Sequence, residues 1–193
     1  MSRDPKITGR EGIEPWVTRQ FITTFDAWAT KDWHALEWGS GDSTLWYAQR
    51  VHRLWTVEHN SNWADKVKAR LDSHGITNTT LVDSSHHDPR EYVDIPIPPT
   101  LRFDFVMVDG RNRIASIVKS LPKMWDGAIL ALDNADRPRY RLGRMLLNAC
   151  SKQHIHTTNG QWRTDWWEID AAKVAANEDL REMRKLVGSF SDG

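Results

Sequence analysis

The segment ALEWGSGDSTLW, residues 35–46, places a glycine-rich turn directly after a short apolar run and before a predicted helix. Glycine permits a tight turn and lets a ligand approach the backbone closely. Thr44 stands where a dinucleotide-binding fingerprint would have its third glycine, after Gly39 and Gly41. Glu58 follows Gly39 by 19 residues, close to the spacing of an acid that binds ribose hydroxyls. The pattern predicts that the turn binds an adenosine-type cofactor.

Short strands alternate with helical patterns along the rest of the chain. The candidate strands are HALEW, LWTVEH, ITNTTLVD, FDFVMVD and GAILALDN, followed by the closing pair QHIHTTN and QWRTDWWEID. A short break separates the closing pair, which predicts antiparallel pairing. The alternation predicts an α/β fold, a doubly wound, Rossmann-like, mostly parallel sheet with helices on both faces. We expect one domain over residues 1–193, with a lead-in over 1–14, a core over 15–175 and a C-terminal helix or tail over 176–193.

Composition limits the kinds of partner and the cellular compartment that this domain is expected to have. The formal net charge is zero, so no global attraction to nucleic acid or anionic lipid is expected. Cys150 is the only cysteine, which excludes an intrachain disulfide and a cysteine-based zinc cluster. No apolar run approaches the roughly 20 residues needed to span a bilayer, and the polar start does not resemble a signal peptide. We therefore expect a cytoplasmic protein. Most of its eleven tryptophans should pack in the core, while others could line an aromatic ligand pocket.

An acid ends each of the five candidate parallel strands, namely Glu37, Glu58, Asp83, Asp109 and Asp133. The carboxyl ends of parallel strands share one edge of the sheet, so the sequence predicts five carboxylates around one crevice. In the simplest interpretation each acid caps the next helix. Crowded carboxylates, however, repel one another and raise one another's pKa. A metal, a hydroxyl-rich ligand or a nucleoside with a positively charged reactive group would relieve that repulsion.

Four segments together resemble a known family. LEWGSGDSTLW, WTVEHNSNWADKV, FDFVMVDGRNR and GAILALDNADRPRY resemble the class I S-adenosylmethionine-dependent methyltransferases, most of all a bacterial and phage-type group with EWGSGxST and VDGRxR motifs. The resemblance covers residues 15–145 in order. It implies a seven-stranded sheet with one antiparallel strand near the end, and S-adenosylmethionine as cofactor. We expect methyl transfer to a small-molecule acceptor, at oxygen, either with or without a divalent metal.

The resemblance also implies which residues bind the cofactor. Glu58 would hold the ribose hydroxyls and His59 would pack near adenine. Asp83 and Ser84 would lie near the adenine amino group, and Asp109 would lie at the methionine amine or the reaction centre. The full predicted set is Glu37, Gly39, Ser40, Gly41, Ser43, Thr44, Glu58, His59, Asp83, Ser84 and Asp109.

Asp109 and Arg111 are the predicted catalytic residues. Asp109, Asp133 and Asn134 are similar to the divalent-metal site of catechol-type O-methyltransferases, and such an oxygen set would suit Mg²⁺. A metal there would lower the pKa of an acceptor hydroxyl. Asn112 occupies the position at which that family has a lysine base. In the alternative interpretation, Asp133 and Asn134 cap the following helix and bind substrate directly.

Arginines and histidines near the same edge leave further alternatives. A solvated helix face is expected for Arg141 and Arg144. The arginines at this edge could hold an anionic acceptor or pair with the crowded acids, and they are Arg111, Arg113, Arg137, Arg139, Arg141 and Arg144. The segment 84–89 is expected to be a solvated loop, with His86 or His87 as a less favoured general base. Two other functions stay open, a nicotinamide-dependent oxidoreductase and a catalytically inactive S-adenosylmethionine-binding protein.

Overall fold

A seven-stranded sheet forms the centre of the computed structural model, which describes residues 13–84 and 91–188. The strand order is β3-β2-β1-β4-β5-β7-β6. Strands β1 to β5 are parallel, and β7 is antiparallel to both β5 and β6. This confirms the predicted doubly wound α/β sheet with a closing antiparallel pair. The strands are β1 His34–Trp38, β2 Arg53–Glu58, β3 Thr79–Asp83, β4 Phe103–Val108, β5 Met124–Asp133, β6 Ser151–Thr158 and β7 Arg163–Ile169.

Helices cover both faces of the sheet. Along β1, Leu36 and Trp38 belong to one apolar cluster and Ala35 to another, as expected when side chains alternate across a strand. The first cluster receives side chains from α4, α5 and α7, and the second from α1, α2 and α3. None of the helices in the described ranges is long and apolar enough to cross a bilayer. The helices are α1 Arg19–Trp28, α2 Asp42–Ala48, α3 Ser61–Ser73, α4 Arg113–Ser120, α5 Arg141–Ala149, α6 Ala171–Ala176 and α7 Glu178–Gly188.

The topology opens a crevice between β1 and β4. These two strands are neighbours, but α2, which follows β1, packs on the opposite face from α4, which follows β4. Their connecting turns therefore diverge at the carboxyl edge of the sheet, where open α/β sheets bind ligands. All five predicted acids lie at this edge, because each one ends a parallel strand or lies within one residue of its end.

The C-terminal segment contributes more to the fold than its polar sequence suggests. Leu180 on α7 is buried in the apolar core, and Met183 and Val187 pack against the same cluster. Their i, i+3, i+7 spacing forms a narrow apolar stripe on a helix whose other residues are mostly polar. The core therefore extends beyond residue 175, into the region predicted as a helix or tail.

Replacing Leu180 tests whether α7 stabilises the sheet. We expect Leu180→Ala to lower the free energy of unfolding by about 2–4 kcal/mol, because it leaves a cavity in packed apolar surroundings. Leu186→Ala on the same helix is the matched control, since Leu186 is 62% exposed and its loss should cost under about 0.5 kcal/mol. Urea denaturation of both variants measures the difference, and equal losses would contradict the packing of α7.

Candidate functional site

Two glycines bring the turns after β1 and β4 into direct backbone contact. Gly39 has φ +96°, which a residue with a side chain rarely adopts. A Cβ on Gly39 would lie 2.8 Å from both Cα and N of Gly110. A Cβ on Gly110 would lie 2.8 Å from Gly39 N and would overlap the Tyr92 hydroxyl. The sequence prediction identified Gly39 but missed Gly110, whose requirement arises only from this contact between distant turns.

Residues at the start of α2 hydrogen-bond to Glu37, the acid of β1. Gly41 is the N-cap residue, and its backbone N–H donates to Thr44 Oγ1 at 2.9 Å. The same hydroxyl donates to Glu37 Oε2 at 2.6 Å. Thr44 is fully buried. It stands where a dinucleotide-binding fingerprint has its third glycine, and its side chain holds the Glu37 carboxylate there instead of leaving space for a ligand.

Glu37 is a buried carboxylate surrounded by hydroxyl groups. Its side chain accepts hydrogen bonds from Ser43 Oγ at 2.5 Å and Thr56 Oγ1 at 2.8 Å, in addition to Thr44. Burial raises the pKa of Glu37 to about 7, Asp109 contributes to the increase, and the three hydroxyl donors oppose it. Glu37 is therefore partly protonated at neutral pH. Thr56 on β2 was not predicted from sequence.

Glu58 ties the glycine turn to the end of β2. Its Oε2 accepts hydrogen bonds from Ser40 N at 3.1 Å and Ser40 Oγ at 2.9 Å. Its Oε1 accepts from the backbone N–H groups of His59 and Asn60, at 2.9 and 3.0 Å. His59 Nδ1 also lies 2.9 Å from Oε1, although the two atoms form no hydrogen bond. Glu58 is thus held at the turn, where the predicted ribose acid should lie.

Trp63 is a residue at this edge that the sequence prediction missed. It lies in the first turn of α3, and its indole Nε1 donates to Ser40 O at 3.0 Å. The ring is 44% exposed despite its size. Its N–H therefore fixes the glycine turn while the rest of the ring faces solvent next to Glu58.

The end of β3 lies beside β2. Asp83 pairs with Glu58 in the parallel register and is exposed. Ser84 N donates to Glu58 O at 2.7 Å, and Ser84 Oγ donates to the same carbonyl at 3.3 Å. The predicted adenine-binding residues are therefore adjacent to the predicted ribose acid. His86 and His87 lie outside the described residues.

Arg113 ties together the ends of β4 and β5. Its Nη2 donates to Asp109 Oδ1 and Asp109 O, both at 2.7 Å, and its Nε donates to Gly110 O at 3.0 Å. Its Nη1 donates to the backbone carbonyl of Asp133. The side chain is only 7% exposed. Of the two alternatives for the arginines, Arg113 therefore fits pairing with the acids.

Asp133 is a third buried carboxylate of this edge, after Glu37 and Glu58. Its Oδ1 accepts a hydrogen bond from Thr164 Oγ1 at 2.8 Å, and Thr164 Oγ1 accepts from Thr18 N at 3.1 Å. Burial raises the pKa of Asp133 to about 7, with a further increase from Asp109. By contrast, the Asp109 side chain is 38% exposed. Among Glu37, Asp109 and Asp133, it is therefore the carboxylate that a ligand in the crevice can reach.

The helix-capping interpretation of the acids is wrong for the described helices. The N-cap residues of α2, α3, α4 and α5 are Gly41, Asn60, Asn112 and Tyr140. Asn134 likewise does not cap α5, and it adopts a left-handed backbone conformation with φ +48°. Glu37, Glu58, Asp109 and Asp133 are instead held by hydroxyl groups, backbone N–H groups and Arg113.

The other arginines fall into two groups. Arg111, Arg137 and Arg139 are exposed on the turns that follow β4 and β5, and Arg141 is exposed on α5 as predicted. Arg144 does not lie on a solvated face: it is half-buried, and its Nη1 donates to the backbone carbonyls of Ala135 and Arg137. Among the described residues, the exposed arginines on the turns at this edge are Arg111, Arg137 and Arg139, and the Arg139 guanidinium lies 4.8 Å from the centre of the Tyr140 ring.

Tyr47 is a further residue that the sequence prediction missed. It is fully buried on α2 against Phe25 and Phe105, and among the described residues its hydroxyl has no hydrogen-bond partner. Burial raises its pKa, and the charges of Glu37 and Asp109 raise it further. An unpaired hydroxyl therefore lies within the electrostatic reach of the acid cluster.

Comparison with known proteins supports the fold. No protein-family model matches the chain, and no curated protein matches it. The O-methyltransferase TomG from Streptomyces achromogenes, solved in complex with SAM, has a TM-score of 0.60 and 20% identity over 78% of each chain. An rRNA methylase from Streptococcus thermophilus has a TM-score of 0.61 and 15% identity over 81% of this chain and 99% of that chain.

A precorrin-6y C5,15-methyltransferase from Geobacter metallireducens has a TM-score of 0.57 and 12% identity over 78% of this chain and 87% of that chain. These structural neighbours differ in the acceptors that their names state. At such low identities the similarity shows the fold alone, which is the Rossmann-like fold of these solved methyltransferases.

Replacing Gly110 tests the contact between the two turns. We expect Gly110→Ala to lower the free energy of unfolding by about 1–3 kcal/mol, because the added Cβ meets backbone atoms that cannot move apart freely. Gly41→Ala is the control, since a Cβ there meets only Ser43 Oγ at 4.0 Å. Chemical denaturation compares the two variants. A Gly110→Ala protein as stable as the control would show that the turns do not touch.

The raised pKa of Glu37 predicts that stability falls with increasing pH. Between the unfolded pKa near 4.5 and the folded value of about 7, the folded state binds more protons, so the free energy of unfolding decreases as pH rises. We expect a loss of roughly 2–4 kcal/mol from pH 5 to pH 8, with Asp133 contributing in the same direction.

Glu37→Gln should remove about half of this dependence. Glu178→Gln is the control, because the Glu178 side chain is 89% exposed. Denaturation curves at several pH values measure the slopes. An unchanged slope in Glu37→Gln would mean that this carboxyl does not titrate in that range.

Proposed function

We propose that this chain is an S-adenosylmethionine-dependent methyltransferase that acts on a small-molecule acceptor. The observation that carries the proposal is the cluster of Glu37, Asp109 and Asp133 at the crevice between β1 and β4. Two of these carboxyls are buried with a pKa near 7, which means that their negative charge is poorly compensated. A ligand with sulfonium and ammonium groups would stabilise them, whereas the pyrophosphate of a nicotinamide cofactor would repel them.

The backbone around the crevice fits such a ligand. Gly39 and Gly110 let the turns that follow β1 and β4 pack backbone against backbone at the mouth of the crevice. Glu58 lies at the turn, and both of its carboxylate oxygens accept hydrogen bonds. Its proposed role is to bind the ribose hydroxyls, which would replace the Ser40 hydroxyl as hydrogen-bond donors. In this proposal the adjacent His59, Asp83 and Ser84 contact adenine, as the sequence resemblance implies. When bound, the cofactor supplies the transferable methyl group.

The protein's own contribution is positioning and charge. Methyl transfer is an in-line displacement, so alignment of the acceptor is the main requirement. The proposed role of Asp109 is to accept the proton of the acceptor hydroxyl. Its carboxylate is the accessible one of the three, and Arg113 fixes its Oδ1. Arg111 follows two residues later and is exposed at the same edge, where its cation can stabilise an acceptor oxygen that becomes negative.

A small anionic acceptor suits the exposed arginines. Arg111, Arg137 and Arg139 flank the crevice, while Arg113 and Arg144 are engaged by backbone carbonyls. Guanidinium groups bind carboxylates and phosphates in a bidentate manner. A zero net charge argues against the extended basic footprint that nucleic-acid binding requires. We therefore favour a hydroxylated carboxylate or phosphate over RNA.

The residues proposed for a metal, Asp109, Asp133 and Asn134, fit Mg²⁺ poorly. The guanidinium of Arg113 already contacts Asp109 Oδ1 and the Asp133 carbonyl, so a divalent cation would face a fixed positive charge. Asp133 is buried with a raised pKa, and within residues 13–84 and 91–188 no group of three or more His, Cys, Asp or Glu side chains has an arrangement that could hold a metal ion. The mechanism proposed here uses no metal, and activity should be insensitive to EDTA.

Cofactor binding to the Glu58→Gln variant tests the assignment of the ribose acid. Isothermal titration of the wild-type protein should show binding of S-adenosylmethionine and none of NAD. Glu58→Gln should weaken S-adenosylmethionine binding about 10- to 100-fold, because a charged hydrogen-bond acceptor is lost. Asp72→Asn, an exposed carboxyl on α3, is the control and should bind as the wild type does. Tight binding of NAD alone would overturn the proposal.

Turnover tests the role of Asp109. S-adenosylhomocysteine formation is measured with a panel of hydroxylated carboxylates and phosphates. Asp109→Asn should lower kcat about 10²- to 10⁴-fold with the KM for cofactor little changed. A large rise in cofactor Kd instead would place Asp109 at the methionine amine. Cofactor binding without turnover across the whole panel would favour the inactive binding protein.

A further inference from the structure

A second concave surface lies near the start of β5, far from the acid cluster at its end. α1 ends at Trp28, and the chain then returns to β1, which leaves part of the β5, β7 and β6 surface open. The cavity measures about 520 Å³, within the size range of small-molecule sites. We call it the tryptophan pocket, and its main lining residues are Trp28, Trp33, Trp166, Ile129, Ile155 and Glu168.

The pocket is separate from the proposed cofactor crevice. Ile129 precedes Asp133 by four residues along β5, which corresponds to about 13 Å in an extended strand. Trp166 is paired with Ala131 on the same face of the sheet, and Glu168 is paired with Ile129. A ligand in the pocket would therefore lie toward the opposite end of the strand from the acid cluster.

The three indole rings are held by the core behind them. Trp28 meets Trp166 edge to face, with ring centroids 5.3 Å apart at 83°. Trp33 meets Phe25 edge to face at 6.0 Å, and Trp166 packs on Phe21 at 5.6 Å. Trp28 and Trp33 are nevertheless only half-buried. Fixed, partly exposed aromatic rings around a cavity provide a preformed apolar surface for a ligand.

The charge at the pocket is negative. Glu168 Oε1 lies 3.8 Å from Lys152 Nζ, but Lys152 is closer to Asp126 Oδ2, at 2.7 Å. One lysine therefore serves two carboxylates, and the three groups sum to one negative charge. A Cβ on Gly127 would lie 3.9 Å from Glu168 Oε1 and 4.0 Å from Lys152 Nζ, so the missing side chain leaves space beside this ion pair. Indole faces also attract cations.

We propose that the tryptophan pocket binds an organic ammonium ion with a flat apolar body, the ring lying among the indoles and the ammonium group meeting Glu168. The charge of Glu168 favours this class of ligand, because the described lining residues are mainly apolar, with Glu168 the charged one among them and Gln153 a second polar side chain. The proposal is independent of the proposed methyl transfer, since the pocket shares no residue with the acid cluster.

A series of matched probes tests the charge preference. Phenethylammonium, 2-phenylethanol and 3-phenylpropanoate share a phenyl ring and differ in charge. They are titrated into the full chain, and indole N–H signals are followed by nuclear magnetic resonance. We expect phenethylammonium to shift the signals of Trp28, Trp33 and Trp166 and to bind at least 10-fold more tightly than the alcohol. Trp63 reports separately on the crevice.

Two variants with controls locate the site. Glu168→Gln should reduce phenethylammonium affinity about 5- to 10-fold and leave the affinity for 2-phenylethanol unchanged. Ala27→Phe should fill the cavity and abolish binding, because Ala27 lines it. Thr23→Phe, exposed one turn earlier on α1, should have no effect. Melting temperatures check that each variant folds.

Three results of the probe titration would overturn the proposal, and a fourth would come from the oligomeric state. They are no binding of any probe at 10-fold molar excess over 1 mM protein, equal affinity for cation and anion, or indole shifts confined to Trp63. Concentration-dependent dimerisation that protects the same indoles would assign the pocket to a second copy of the chain instead.

Discussion

The backbone contact between Gly39 and Gly110 is the constraint on which the ligand-binding edge depends. β1 and β4 are adjacent, yet the helices that follow them pack on opposite faces, so the two turns must pass each other without side chains. Tyr92 then lies against Gly110 and donates its hydroxyl hydrogen bond to Val57 O at 3.4 Å. This contact sets where Asp109 emerges and how the crevice opens. A side chain at either glycine would push β1 and β4 apart where their acids converge.

Buried acids at this edge are costly unless donors surround them. Glu37 and Asp133 each find hydroxyl donors, from Thr56 on β2 and Thr164 on β7, for example, and Arg113 supplies the positive charge nearest to Asp109. These donors do not fully offset burial, so two carboxyls keep protons near neutral pH. Binding of a cationic ligand would favour their charged forms and would release protons. The same electrostatics that destabilise the empty fold thus favour the ligand.

Features set by local pattern could be predicted from the sequence, whereas features set by contacts between distant residues could not. Strand-end acids and the turn at Gly39 follow from periodicity and glycine placement, and the structure has them where expected. Gly110 and Thr164 matter because of partners 71 and 31 residues away. Arginines also look alike in sequence, and only burial separates Arg113 from Arg111. The apolar stripe of α7 was hidden because most of that helix is polar.

α1 contacts β7 both at its start and at its end. At its start, Thr18 donates through its backbone N–H to Thr164 Oγ1, which in turn holds Asp133. At its end, Trp28 forms a wall of the tryptophan pocket. A helix of ten residues is about 15 Å long and behaves as a rigid rod on this scale. The hydrogen bond that supports Thr164, and through it Asp133, and a wall of the tryptophan pocket are therefore both provided by this one helix and its N-cap residue.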